Sequence, residues 1–220
     1  VPATVAEREE THSDRSLAKS TGVQLGIVVS GMFSGGLAAV SYYVAGLEWL
    51  AHGFLIWIVL GVTTTAGHTL RTAVRRASTA LLSGVLVFYL GKQWVYVLEY
   101  AGAEYSVDPK RMAAWLAVAV LAGVACGTVF RHIGREGWSA AIATTTAIGL
   151  LFGDAARELY PTLSADPVFL VCTMLVVLVI LLLAVVSKRQ FGRIVLMALP
   201  CAGFGLALLL AAELLERLTW

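Results

Sequence analysis

Charge is scarce in this 220-residue chain: Asp, Glu, Lys and Arg make up 14% of it, and the runs between them are long and apolar. That is about half the share of a soluble domain, which excludes a fold with a polar surface all round. Cysteine is scarce as well. Cys126, Cys172 and Cys201 each fall inside an apolar run, with no Cys-x-x-Cys pair and no metal spacing. A disulfide scaffold is therefore excluded, and the three thiols read as small packing residues. The histidines, His12, His52, His68 and His132, are scattered over the polar tail and the ends of apolar runs. Absent too are a nucleophile elbow, a zinc-protease helix motif, a phosphate-binding glycine loop and a dinucleotide-binding glycine pattern. Paired aspartates that would hold a magnesium diphosphate are missing, and the last apolar run has no lysine for a retinal Schiff base. No run exceeds two adjacent basic residues, which argues against nucleic acid as a partner. Composition thus implies no metal and no cofactor.

What is present is hydrophobicity. Apolar residues are 59% of the chain and the mean hydropathy is +0.82. Seven apolar stretches can be drawn, at residues 23–46, 52–66, 79–98, 112–130, 138–151, 167–187 and 194–215. About 20 apolar residues cross a hydrocarbon core, and only helices or closed barrels satisfy their backbone there. Strand alternation is missing from these runs, so they read as helices. The expected fold is all-α: a polytopic transmembrane bundle of about seven helices, or six plus one short or re-entrant segment. The second stretch is the short one. Residues 1–20 read as a polar tail and residues 21–220 as a single membrane domain. The first stretch is too long for a signal-peptide core and reads as an uncleaved anchor.

The sixteen basic residues are sorted by side. The tail and every second connection carry Arg8, Arg15 and Lys19, then Arg71, Arg75 and Arg76, then Arg131 and Arg135, then Lys188, Arg189 and Arg193. The other side holds Lys110, Arg111, Arg157 and Arg217 among seven acids, and Lys92 lies inside a span. Lysine and arginine are retained on the cytoplasmic side. The N-terminus is expected to be cytoplasmic and the C-terminus external, in a bacterial plasma membrane.

Small residues recur four apart at Gly22/Gly26, Gly31/Gly35, Gly123/Gly127 and Gly149/Gly153. That spacing lets helix backbones approach closely in lipid, within one chain or between subunits. Thr144, Thr145 and Thr146 are expected to bond to carbonyls of their own preceding turn. Pro200 is expected to bend the last helix. Spans one to three and four to six would run in opposite directions, as an inverted repeat requires, although the two sets share no residue pattern.

The third stretch carries a polar and aromatic face. Tyr89, Lys92, Gln93, Tyr96, Glu99 and Tyr100 fall within an arc of about 120°. Lys92 lies sixteen residues beyond Arg76, about 24 Å along a helix, and Asp154 lies eighteen beyond Glu136, about 27 Å. The two should share a height, with Arg157 and Glu158 on the face of Asp154 and Glu213 approaching the same layer. A charge in hydrocarbon is costly unless it is paired or wetted. The expectation is therefore a polar cavity open to the outside, lined by the third, fifth and seventh helices, with Lys92 and Asp154 as partners across it.

The segments GVQLGIVVSGMFSGG, RTAVRRASTALLSGVLVFYLG, AVLAGVACGTVF and AIGLLFGDA resemble those of a family of uncharacterised, small, glycine-rich bacterial membrane proteins. That resemblance covers about half the chain and implies no known activity. In architecture the chain is also similar to the membrane-embedded substrate-binding subunits of energy-coupling-factor transporters. Those usually have six helices and hold a small molecule near the outer face, and a seventh span departs from their count.

Three functions follow as expectations. The first is a transporter, or transporter subunit, binding an unknown small molecule through Lys92, Asp154, Tyr89, Gln93, Tyr96, Glu99, Arg157 and Glu158. The second is a non-catalytic accessory subunit in contact with a membrane-protein partner or a second copy of itself. The third is an enzyme acting on a lipid or isoprenoid, with Asp154, Glu158 or Glu99 as general acid.

Overall fold

A computed structural model describes the backbone of residues 5–100, 106–159, 166–185 and 187–218, and the side chains of those between 21 and 207. The described residues are helical, with no strand among them. The helices are α1 (Val5–Ser41), α2 (Glu48–His52), α3 (Leu55–Thr65), α4 (Leu70–Glu99), α5 (Pro109–Val129), α6 (Trp138–Leu159), α7 (Pro167–Ala184) and α8 (Lys188–Leu218). Six of them contain an apolar segment long enough to cross a membrane. Their outer faces are those of a lipid-embedded protein: Leu199 is 85% exposed and Leu98 78%, levels a water-facing surface does not carry in such number.

Local sequence sets several boundaries. Asp108 and Asp166 each accept a hydrogen bond from the backbone N–H two residues on, at 2.9 and 2.8 Å, and each is followed by a proline at the first helical position. Aspartate caps an N-terminus, and proline tolerates the first turn because its missing N–H would be unpaired there anyway. α1 begins at Val5, so the helix of the first span, whose apolar part is Thr21–Ser41, extends back into the polar tail. α8 runs through Pro200 without interruption.

The second apolar stretch is short, as expected: it forms the eleven-residue α3, preceded across a break by the five-residue α2. α3 spans about 16 Å, roughly half of a hydrocarbon core. Its far end reaches the connections that carry the basic residues: Gly67 N–H donates to the Arg131 carbonyl, and Arg135 donates to the carbonyls of Gly67 and His68. Gln190 exchanges two hydrogen bonds with the backbone of Gly137, which ties the start of α8 to the same end. The cations sorted by sequence therefore gather at one end of the bundle.

Glycine contacts fix the helix directions. A methyl group on Gly31 or Gly35 of α1 would overlap the backbone of Ala80 or Gly84 of α4. One on Gly149 of α6 would overlap that of Cys201 of α8. Both pairs run parallel, because contacts rise together along each partner. Gly123 and Gly127 of α5 press on Ser78 and Val74 of α4 in antiparallel sense. Two sets of three passes, α1–α3–α4 and α6–α7–α8, thus run in the same direction, with α5 between them. Spans four to six, α5–α6–α7, run opposite to spans one to three, the relation expected from the sequence. Thr144 and Thr145 behave as expected, buried and donating to the carbonyls of Ala140 and Ala141, each at 2.8 Å, whereas Thr146 donates to Cys201 Sγ at 4.0 Å.

Candidate functional site

At the end opposite the basic connections, α4 and α5 enclose a cavity of about 650 Å³, within the range of small-molecule sites. Their backbones touch lower down, at the glycine seam, and the cavity occupies the space between their outer halves. α4 presents Leu81, Val85, Phe88, Tyr89 and Lys92; α5 presents Arg111, Trp115, Val118, Ala119 and Ala122. The two sets share one spacing and one helix face each. Because the helices are antiparallel, Lys92 stands at the level of Arg111, and Leu81 at that of Ala122. The rest of the wall comes from Tyr42 at the end of α1, from the break between α2 and α3, and from Arg157 of α6.

The break has a chemical cause. Between α2 and α3 the chain extends at Gly53 (φ −85°, ψ 163°), which leaves polar backbone groups of both helix ends without helical partners. Asp154 and Arg157 take them. Asp154 Oδ2 accepts from Phe54 N–H at 2.7 Å, at the N-terminus of α3, where a negative charge also meets the positive end of the helix dipole. Arg157 donates to the His52 carbonyl at 2.7 Å, at the C-terminus of α2, and to Asp154 Oδ1 at 3.2 Å. A side chain at Gly53 would press on the Trp49 carbonyl and on Asp154, so the close approach needs glycine. The Asp154 side chain is 1% exposed and that of Arg157 24%.

The structure separates the sequence-predicted site residues. Lys92, Tyr89 and Arg157 line the cavity. Asp154 stands behind its wall and pairs with Arg157, not with Lys92 as expected. The Lys92 ammonium lies 3.4 Å from the centre of the Tyr42 ring and 5.6 Å from that of Phe88, so it turns inward rather than out to the lipid interface. Tyr96 packs against Tyr43 and Tyr100, and Tyr43 Oη donates to the Lys92 carbonyl at 3.2 Å. Gln93 and Glu158 are half-buried, Glu99 is exposed, and none of the three lines the cavity. The side chain of Glu213 lies outside the described residues. The cavity is therefore built on the third and fourth passes and the broken second one, with a single residue from the fifth.

Sequence reasoning missed Arg111, Trp115, Tyr42, Phe54 and Trp57. The signal for Arg111 was the Asp108-Pro109 cap, which starts α5 early enough to put Arg111 in its first turn and Trp115 one turn further on. Among the described residues no group of three His, Cys, Asp or Glu side chains could hold a metal ion.

These features define a polytopic α-helical membrane protein with a cavity at the end where positive charge is otherwise sparse. The chain belongs to a family of unknown function (DUF6518), whose model matches residues 90–217. The match runs from the outer end of α4 through most of α8, and it includes Lys92, Arg111 and Arg157. No curated protein and no solved structure matches the chain, so the architectural similarity to energy-coupling-factor subunits has no further support.

Proposed function

We propose that the protein binds a small solute in the cavity between α4 and α5, as a transporter or a transporter subunit in a bacterial plasma membrane. The observation that carries this reading is the cavity itself: about 650 Å³, walled by aromatic rings and reached by three cationic side chains. A pass broken at the cavity wall supports transport, because interrupted helices commonly line substrate sites. With the basic end cytoplasmic, the cavity opens outward.

A second reading, an accessory subunit of a larger membrane complex, is favoured by one observation. A methyl group on Gly22 or Gly26 of α1 would meet nothing within 4 Å among the described residues, which leaves a small-residue face on which another helix could pack.

Native mass spectrometry of protein gently extracted from its own membrane tests both. A stoichiometric small molecule, lost when Ala122→Phe fills the cavity floor, is the expected result. A stoichiometric protein partner with no small molecule would replace the first reading with the second.

A further inference from the structure

We propose that the cavity takes an anion with an apolar body: a carboxylate or phosphate head at the level of Lys92, Arg111 and Arg157, and a hydrocarbon or aromatic body lying between α4 and α5. The inference rests on the cavity being a solute site.

Charge makes the first argument. Five basic residues fall outside the basic end by the sequence sorting: Lys92, Lys110, Arg111, Arg157 and Arg217. Three of these five line one cavity. Among the described residues Asp108 is the one carboxylate lining it, and Asp108 Oδ1 accepts the Lys110 N–H. Lys92 faces aromatic rings, and no described carboxylate forms an ion pair with it. Asp154, the nearest acid by sequence reasoning, spends both oxygens on the helix break. Arg157 is already paired with Asp154, but cations gathered in a low-dielectric wall still raise the local positive potential, and an anion beside Lys92 offsets that cost. Arg157 adds a second, independent observation. Its Nε–H is buried and has no acceptor among the described residues, and a buried donor without a partner is costly.

The gradient of polarity makes the second argument. Along α4 the wall passes from Lys92 through Tyr89 and Phe88 to Val85 and Leu81; along α5 it passes from Arg111 through Trp115 and Val118 to Ala119 and Ala122. Each path covers eleven residues, about 16 Å. Below the cation layer the two helices offer the Tyr89 hydroxyl and the Trp115 indole N–H and otherwise only apolar side chains, so most groups of a sugar or a polyphosphate chain would lie unsatisfied there, whereas an alkyl chain or ring would not. Neutral and cationic molecules with the same body lack the head contact, and a cationic one adds like-charge repulsion.

The same chemistry could come from a water-soluble amphipathic acid or from an anionic lipid of the bilayer, and the test separates the two. The full-length protein is placed in phosphatidylcholine nanodiscs, and Trp57 and Trp115 report binding through their fluorescence. The probes are 4-phenylbutyrate, 4-phenylbutanol and 4-phenylbutylamine, which share a body and differ in the head. Saturable binding of the butyrate, at least about tenfold tighter than that of the other two, is expected from charged hydrogen bonds in a desolvated site. Lys92→Gln should weaken it by a similar factor, Lys92→Arg should restore most of it, and Lys188→Gln at the basic end should leave it unchanged. In the second arm, nanodiscs containing phosphatidylglycerol are examined by native mass spectrometry. Selective retention of phosphatidylglycerol that is lost in Lys92→Gln identifies a lipid as the source; butyrate binding without such retention identifies a soluble acid. Equal binding of all three probes, or no effect of Lys92→Gln in the arm that binds, overturns the anion assignment while leaving a solute cavity standing. Absence of binding by every probe together with absence of lipid retention overturns both.

Discussion

The two sets of three passes run in the same direction, and the cavity between α4 and α5 borders the first of them. In α6–α7–α8 the middle pass is an uninterrupted eighteen-residue helix. Gly149 brings the backbones of α6 and α8 into contact, and Gly205 repeats that contact one turn further on. In α1–α3–α4 the middle pass is eleven residues long and preceded by a break. A short pass cannot fill the outer layer of the bundle, and the cavity lies there. The second set supplies the repair: Asp154 and Arg157 of α6 take up the polar groups that the break exposes. Backbone packing joins α6 to α8 as it joins α1 to α4; the sets differ in their middle pass, and α6 holds the broken one by hydrogen bonds.

The comparison breaks most readily at Asp154. Asp154→Leu leaves Arg157 without its acid and Phe54 N–H without its acceptor, and removing one partner of a buried pair costs on the order of 3–5 kcal/mol. The expected result is a large loss of thermal stability in nanodiscs, the largest of the substitutions considered. Replacing both partners, Asp154→Leu with Arg157→Leu, should recover part of that loss, because no unpaired charge remains. If the double variant is less stable than either single one, the two side chains stabilise the break independently rather than as a pair.

The glycine seams sharpen the comparison at a smaller scale. Gly149→Val drives a side chain into the backbone of α8, and overpacking of this kind typically costs about 1–3 kcal/mol. Gly26→Val has room and should be neutral in the isolated protein. A loss of stability with Gly26→Val as large as with Gly149→Val would show that the open face of α1 is covered in the assembled molecule, and would favour the accessory-subunit reading.

The bundle was legible because lipid imposes it: runs such as 167–187 can be satisfied only as helices, and the sorting of Lys and Arg located the two ends. The height of the polar layer was legible too, since the 1.5 Å rise puts Lys92 and Asp154 at comparable distances from the basic end. Their partners were not. Phe54 and Asp154 are a hundred residues apart in sequence, and nothing near His52-Gly53-Phe54 announces that a distant carboxylate will cap a new helix there. Arg111 was set aside as a loop cation because hydropathy starts the fourth stretch at Met112, whereas the Asp-Pro cap starts the helix at Pro109. Hydropathy locates the lipid-facing length of a helix; capping locates its ends, and the cation layer sits at the ends.

Lys92 supplies the next contrast with Asp154. Its ammonium touches rings rather than an acid, and a cation–π contact contributes about 0.5–1 kcal/mol. Lys92→Gln should therefore shift the unfolding temperature only slightly, while removing the preference for an acidic head. Equal losses of stability from Lys92→Gln and Asp154→Leu would mean that both charges are structural, and the difference between the two halves would vanish.

The smallest expected effect lies at the basic end, outside the spans. The His68 ring nitrogen Nε2 accepts a hydrogen bond from the Arg76 guanidinium, which requires the neutral imidazole. Burial, and then the Arg76 charge, hold the His68 pKa below its ordinary value of 6.5. The unfolded chain therefore binds the proton more readily than the folded one, and stability depends on pH wherever the two states differ in bound protons. Above about pH 6.5 both states carry neutral His68, and stability is independent of this group. As pH falls below that value the unfolded state gains protons first, so stability declines until the folded-state His68 also titrates, and then levels off. His68→Gln keeps an acceptor for Arg76 and has nothing to titrate. Unfolding temperatures measured from pH 7.5 down to 5 should fall more for the wild type than for His68→Gln. Coincident curves would place the pH response elsewhere and leave the His68–Arg76 contact as packing between the α3–α4 turn and the first turns of α4.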